Sequence, residues 1–130
     1  MAATTSARFS TPLVKALDEA KILGVRAGAR SDHRFTGIWV VVVNGRVFAR
    51  SWTVTPGGWY ASFRKERAGT IQVGERRVRV RARPVRGERA LDAVEAAYAR
   101  KYHTPASMKW VRGFRTKKRR EATIEFLPVS

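Results

Sequence analysis

The sequence predicts a mainly β protein with α: a small closed or split β-barrel of about six mostly antiparallel strands, with three or four short peripheral helices. Three stretches carry this expectation. Residues 38–52, IWVVVVNGRVFARSW, place Asn44-Gly45 between two β-rich runs; GTIQVGERRVRVRARPV alternates around Gly74-Glu75; and the closing ATIEFLPV alternates again. The strands read as hairpins, and 130 residues are too few for two sheets and a helical layer.

Taken in order, residues 1–10 are expected to be a disordered tail of a single domain spanning 1–130. Thr11-Pro12 reads as a helix start, with Thr11 as the cap and Leu13, Leu17 and Ala20 at helical spacing until Gly24. Residues 28–37 are small, charged and aperiodic, and read as a loop or short irregular strand. Asn44-Gly45 then sets a type I′ turn, because both residues tolerate positive φ, and the register follows. One face of the hairpin collects Trp39, Val41, Val43, Arg46, Phe48 and Arg50; the other collects Ile38, Val40, Val42, Val47, Ala49 and Ser51. The second face is a clean core face. The first is too apolar for open water, yet two arginines are costly in a closed core, so something partly covers it. The candidates are a helix of the same chain, a second subunit, or a ligand with an aromatic body and an anionic tail.

Pro56-Gly57-Gly58 breaks the strand and opens a short helix from Trp59 that ends before Gly69. In the second hairpin Val78, Val80 and Ala82 face one way, and Arg77, Arg79, Arg81 and Arg83 the other. Such a row of like charges repels itself, and the preferred explanation is an exposed edge strand. Leu91, Val94, Tyr98 and Tyr102 form one stripe of the best helix, with Glu88 and Asp92 near its positive end. Thr104-Pro105 starts another helix to Gly113, and RTKKRR reads as a solvated basic run.

Composition narrows the function classes. The chain has no cysteine, which removes disulfides, thiolate catalysis and cysteine metal sites and agrees with a cytoplasmic location. No apolar run approaches the roughly 20 residues of a membrane helix, and no signal peptide is expected. The 27 Lys plus Arg against 10 Asp plus Glu give a formal charge of +17, a surface that draws polyanions: nucleic acid, anionic lipid or phosphorylated cofactors. Neither dinucleotide nor phosphate-loop fingerprints occur, and the two histidines lie far apart, so no metal site and no catalytic residue can be named.

Arginine beside aromatics does recur. Arg50 lies opposite Trp39 in the derived register, within reach of a cation–π contact. The Gly57-Gly58 turn and the first amides of the next helix make a candidate anion seat. Arg50, Ser51, Gly58, Trp59 and Tyr60 thus form a candidate site for a phosphate and an aromatic ring. The competing reading is that Trp59 and Phe63 plug a barrel end while Arg50 makes structural hydrogen bonds.

The Ile-Trp-Val-Val strand, the Arg50-Ser51 pair, Trp59-Tyr60 and the Ala-Tyr-x-x-Lys-Tyr run from Ala97 resemble the domain-of-unknown-function family 2255, over about residues 37–128. That family looks like part of the FMN-binding split-barrel group related to deazaflavin-dependent nitroreductases. The resemblance implies a split barrel, a homodimer with its ligand between subunits, and FMN or a deazaflavin as cofactor. Arg50, Ser51, Trp59, Tyr60, Tyr98, Lys101 and Tyr102 are the positions it carries over, so Lys101 joins the cofactor-binding candidates. Any enzyme activity would then be a flavin- or deazaflavin-dependent oxidoreduction. The alternatives are a nucleic-acid module using the arginine-rich strand face, or a ligand-free accessory barrel.

Overall fold

The structure, a computed structural model, describes residues 8–29 and 32–129. Most of the expected tail, residues 1–7, lies outside that set, as do two positions of the 28–37 segment. Ser10, not Thr11, caps the first helix, α1 (Thr11–Glu19): its hydroxyl accepts the Leu13 N–H, and Pro12 sits in the first turn. The helix stops short of Gly24, and the chain instead enters a strand, β1 (Leu23–Ala27), that the periodicity did not reveal. Three more strands follow, β2 (Thr36–Ile38), β3 (Val41–Val43) and β4 (Arg46–Arg50). Asn44 and Gly45 take φ of 52° and 76°, and the pairs Val41–Phe48, Val42–Val47 and Val43–Arg46 are those the turn predicts.

Beyond the hairpin come α2 (Trp59–Lys65), β5 (Ala68–Val73), β6 (Arg76–Pro84), α3 (Glu88–Lys101), α4 (Pro105–Gly113), α5 (Lys117–Arg120) and β7 (Thr123–Pro128). Among the described residues there are therefore seven strands and five helices, one or two more of each than expected. No described helix is long and apolar enough to cross a membrane.

All strands join one antiparallel sheet in the order β2-β1-β5-β6-β7-β4-β3. Its two edges, β2 and β3, are consecutive pieces of chain separated only by Trp39 and Val40. Residues 36–43 thus pair with β1 through their first half and with β4 through their second, and the sheet curls into a split barrel. The order also divides the arginine row. β6 pairs with β5 from Arg76 to Arg81 but with β7 only from Val80 to Pro84, so Arg81 and Arg83 lie inside the sheet, whereas Arg77 and Arg79 stand beyond the β7 ladder on a stretch that is locally an edge.

Two apolar clusters divide the molecule. Inside the barrel, Leu23, Val25, Val47, Ile71, Val80 and Phe126 pack with Leu13 and Leu17 of α1 and with Phe63 of α2, which plugs one end. Outside it, the mixed face of the first hairpin, Val41 and Phe48, packs on Val94, Tyr98 and Tyr102 of α3 and on Val111 and Phe114 beside it. A helical layer of the same chain therefore covers the face that the sequence left unexplained.

The expected Trp39–Arg50 pair is not formed. Trp39 instead stacks on Tyr102, with ring centroids 4.0 Å apart, and the Tyr98 hydroxyl inserts between the two strands. It accepts the Arg50 N–H at 2.9 Å and donates to the Trp39 carbonyl at 3.2 Å, a bridge where a direct ladder bond would lie. Tyr102 and Lys101 do the same for Val40: the Tyr102 hydroxyl accepts its N–H at 3.1 Å, and Lys101 Nζ donates to its carbonyl at 2.7 Å. The Ala-Tyr-x-x-Lys-Tyr run thus satisfies the backbone groups freed where the chain switches neighbours. Tyr98→Phe would strand a buried N–H and a buried carbonyl. It is expected to cost about 1–3 kcal/mol in urea unfolding, with the slope unchanged.

Candidate functional site

The chain leaves β4 through a polar loop, residues 51–58, whose course is fixed at its start. The Ser51 N–H donates to Ala122 O at 2.9 Å, and its hydroxyl both donates to Thr53 O and accepts the Thr53 N–H. This turns the Trp52 side chain toward α4, where it meets Trp110 and Phe114 edge-on at 4.9 and 5.6 Å. Gly113 permits that approach, since a Cβ there would lie 2.3 Å from the Trp52 ring. From α5, the Arg119 guanidinium sits 3.4 Å from the Trp52 ring centroid, and its Nε donates to Trp52 O at 2.9 Å.

Trp52, Thr53, Thr55, Pro56, Lys118 and Arg119 line an open cleft of about 680 Å³. A second hollow of about 450 Å³ shares Val54 and Lys118 with it and adds Tyr60, Arg64 and Glu121. There Arg64 donates to the Tyr60 hydroxyl at 3.1 Å. The Lys118 ammonium is exposed and has no side-chain partner among the described residues. The cleft therefore offers an aromatic wall, threonine hydroxyls and cations with donors to spare. Among the described residues no cluster of metal-ligating side chains occurs.

Arg50 does not line this cleft. Its side chain is fully buried, and its guanidinium donates to Thr123 Oγ1 at 2.8 Å, Glu95 at 3.0 Å, Phe114 O at 3.0 Å and Leu91 O at 3.2 Å. Burial draws the guanidinium below the usual arginine range, against the opposing pull of Glu95. Glu95 also accepts from Arg120, which reaches Glu88 and Asp92 as well, at 2.7 and 2.8 Å. That cluster ties β4, α3, α5 and β7 together and sets the position of the helix carrying Lys118 and Arg119.

The structure separates the other expected site residues. Ser51 is buried beside Arg50. The Gly58 N–H bonds Thr55 O at 3.1 Å, and α2 is only seven residues long, so the anion seat expected there has little to offer. Trp59 packs on Phe63 and Phe126 as part of the barrel plug, whereas Tyr60 lines the second hollow. Lys101 lies apart from both, its Nζ on Leu17 O and Val40 O, and burial pushes its pKa down to about 8. The residues that form the cleft, Trp52, Lys118 and Arg119, were visible only as a tryptophan after Ser51 and as part of a basic run.

Residues 13–126 match the model of a family described as an uncharacterized protein conserved in bacteria, DUF2255. No curated protein matches the sequence. Among solved structures, the chain is similar to a conserved hypothetical protein from Mycobacterium tuberculosis, with a TM-score of 0.61 and 12% identity over 95% of this chain and 81% of that one. It is also similar to an FAD-binding protein from Mesorhizobium loti, with a TM-score of 0.56 and 12% identity over 94% and 91% of the two chains. At such identity the likeness is one of fold.

Proposed function

Since the chain belongs to the bacterial family DUF2255, a family without an assigned activity, we propose from its own geometry that it binds a phosphorylated aromatic cofactor, FMN or a deazaflavin, in the Trp52 cleft. The observation that carries this reading is the meeting of the Trp52 side chain, held by Arg119, with the unpartnered Lys118 ammonium in one opening of about 680 Å³, a size within the roughly 300–1,000 Å³ of small-molecule sites. The residues fit such a ligand. Lys118, which both hollows share, would hold its phosphate with Arg64 from the second hollow, Trp52 with Arg119 on it would border its ring, and Tyr60 would line the phosphate end. The similarity in fold to a protein described as FAD-binding supports the same reading. Bound there, the cofactor would supply the redox chemistry, and the chain would supply placement and charge. The homodimer and the cytoplasmic location belong to the same proposal. Trp110, 43% exposed beside Trp52, would give a second copy an apolar rim to cover.

Titration of FMN or a deazaflavin with purified protein is expected to quench the ligand's fluorescence and shift its visible spectrum. Lys118→Ala with Arg64→Ala should weaken binding by about tenfold or more, because charge-assisted hydrogen bonds are the strong ones. Arg100→Ala, a surface arginine outside the cleft, should not. Unaltered spectra at high micromolar ligand, or equal affinity in the double variant, would reject the reading.

A further inference from the structure

We propose that the outward face of β5 and β6 is a docking surface for single-stranded nucleic acid. Arg77, Arg79 and Arg81 stand on this face, all exposed, at alternate positions about 6.6 Å apart along the strand. Across from Arg79 and Arg77, β5 presents the uncharged Thr70 and Gln72; Arg77 Nε donates to Gln72 Oε1 at 3.2 Å, and no charge of β5 neutralises the row. The next arginine of the row, Arg83, is already spent: together with Arg46 it holds Glu125, at 2.6 and 2.8 Å. No carboxylate among the described residues pairs with Arg77, Arg79 or Arg81.

Three neighbouring like charges cost stability on a strand; edge protection can serve Arg77 and Arg79, which lie beyond the β7 ladder, but not Arg81, which is paired with β5 and β7 alike. Charge complementarity calls for a linear polyanion. Phe35 selects its chemistry. The Arg26 and Arg77 guanidinium carbons lie 4.3 and 5.2 Å from its ring centroid, which holds a half-buried aromatic next to the cationic row. A phosphodiester chain bearing flat bases uses both features, the arginines through its phosphates and the ring by stacking. An acidic peptide or an anionic membrane uses only the first. A sheet face with no helix projecting from it suits a single strand better than the groove of a duplex.

The test is fluorescence anisotropy of labelled oligothymidylate across a salt series. For single strands each neutralised phosphate adds about 0.7 to the steepness of the log–log slope, so Arg79→Gln with Arg81→Gln should flatten it by about 1.4. Arg79→Lys with Arg81→Lys should restore it. Phe35→Ala should weaken binding about tenfold at fixed salt and leave the slope alone. Arg112→Gln with Arg115→Gln, on α4 and the turn after it, removes equal charge elsewhere and should leave the slope unchanged. The proposal is overturned if that control flattens the slope as much as the β6 pair does. It is equally overturned if Phe35→Ala binds normally, or if polyglutamate or phosphatidylserine vesicles displace the oligonucleotide at matched charge.

Discussion

Arg50→Leu is expected to lower the unfolding free energy by about 3–5 kcal/mol, a large share of the roughly 5–15 kcal/mol that holds a domain of this size. Leucine fills part of the volume but makes none of the four hydrogen bonds. Thr123 Oγ1 and the carbonyls of Leu91 and Phe114 lose a buried donor at once, and Glu95 keeps only Arg120. The loss should appear as a lower urea midpoint. Arg50→Lys should be nearly as damaging, because one ammonium cannot reproduce a planar fork that serves partners on β7, α3 and the end of α4. Glu95→Gln should cost less, since an amide still accepts from both arginines. An Arg50 variant with near-normal stability but no FMN affinity would instead mean that the arginine is exposed to ligand and that its buried cluster does not exist.

The second large effect is expected at Gly69. This residue lies on β5 inside the barrel, beneath the plug from α2. A Cβ there would stand 2.4 Å from the Arg26 carbonyl oxygen and 2.6 Å from the Phe63 ring. The carbonyl belongs to the paired strand and cannot swing aside, and Phe63 is fully buried with Phe126 against it. Gly69→Ala must therefore separate β1 from β5 or lift α2. It is expected to cost about 3 kcal/mol or more in thermal or urea unfolding, at the upper end for overpacking. Trimming the ring as well, in Gly69→Ala with Phe63→Leu, should give less than the sum of the single losses, because both changes act at one point of packing.

Much of this architecture was legible where chemistry is local. Asn44-Gly45 states its turn in two letters, and three cross-strand pairs follow from it. The alternation of β6 and the stripe of α3 are likewise written in short periods. What escaped depends on distant partners. β1 and β2 are five and three residues long, and their strand character comes from pairing with each other and with β5, not from their own pattern. The basic run is solvated as far as Lys118, but its last residue is not, because the acids that hold Arg120, at positions 88, 92 and 95, lie 25 to 32 residues earlier. The Trp39–Arg50 pair fails for a similar reason, since a tyrosine hydroxyl 48 positions beyond Arg50 takes its place. Register rules describe two strands and cannot see a third element entering between them.

The strand order carries a consequence for synthesis. Among the described strands β7 comes last in chain order, yet it stands in the middle of the sheet, between β6 and β4. Until residues 123–128 have emerged from the ribosome, β6 and β4 lack the strand between them, and the earlier strands are joined only through residues 36–43, leaving two unpaired margins. Closure of the sheet therefore waits on a single segment, and until it is in place the facing margins of β6 and β4 are open to pairing with other chains.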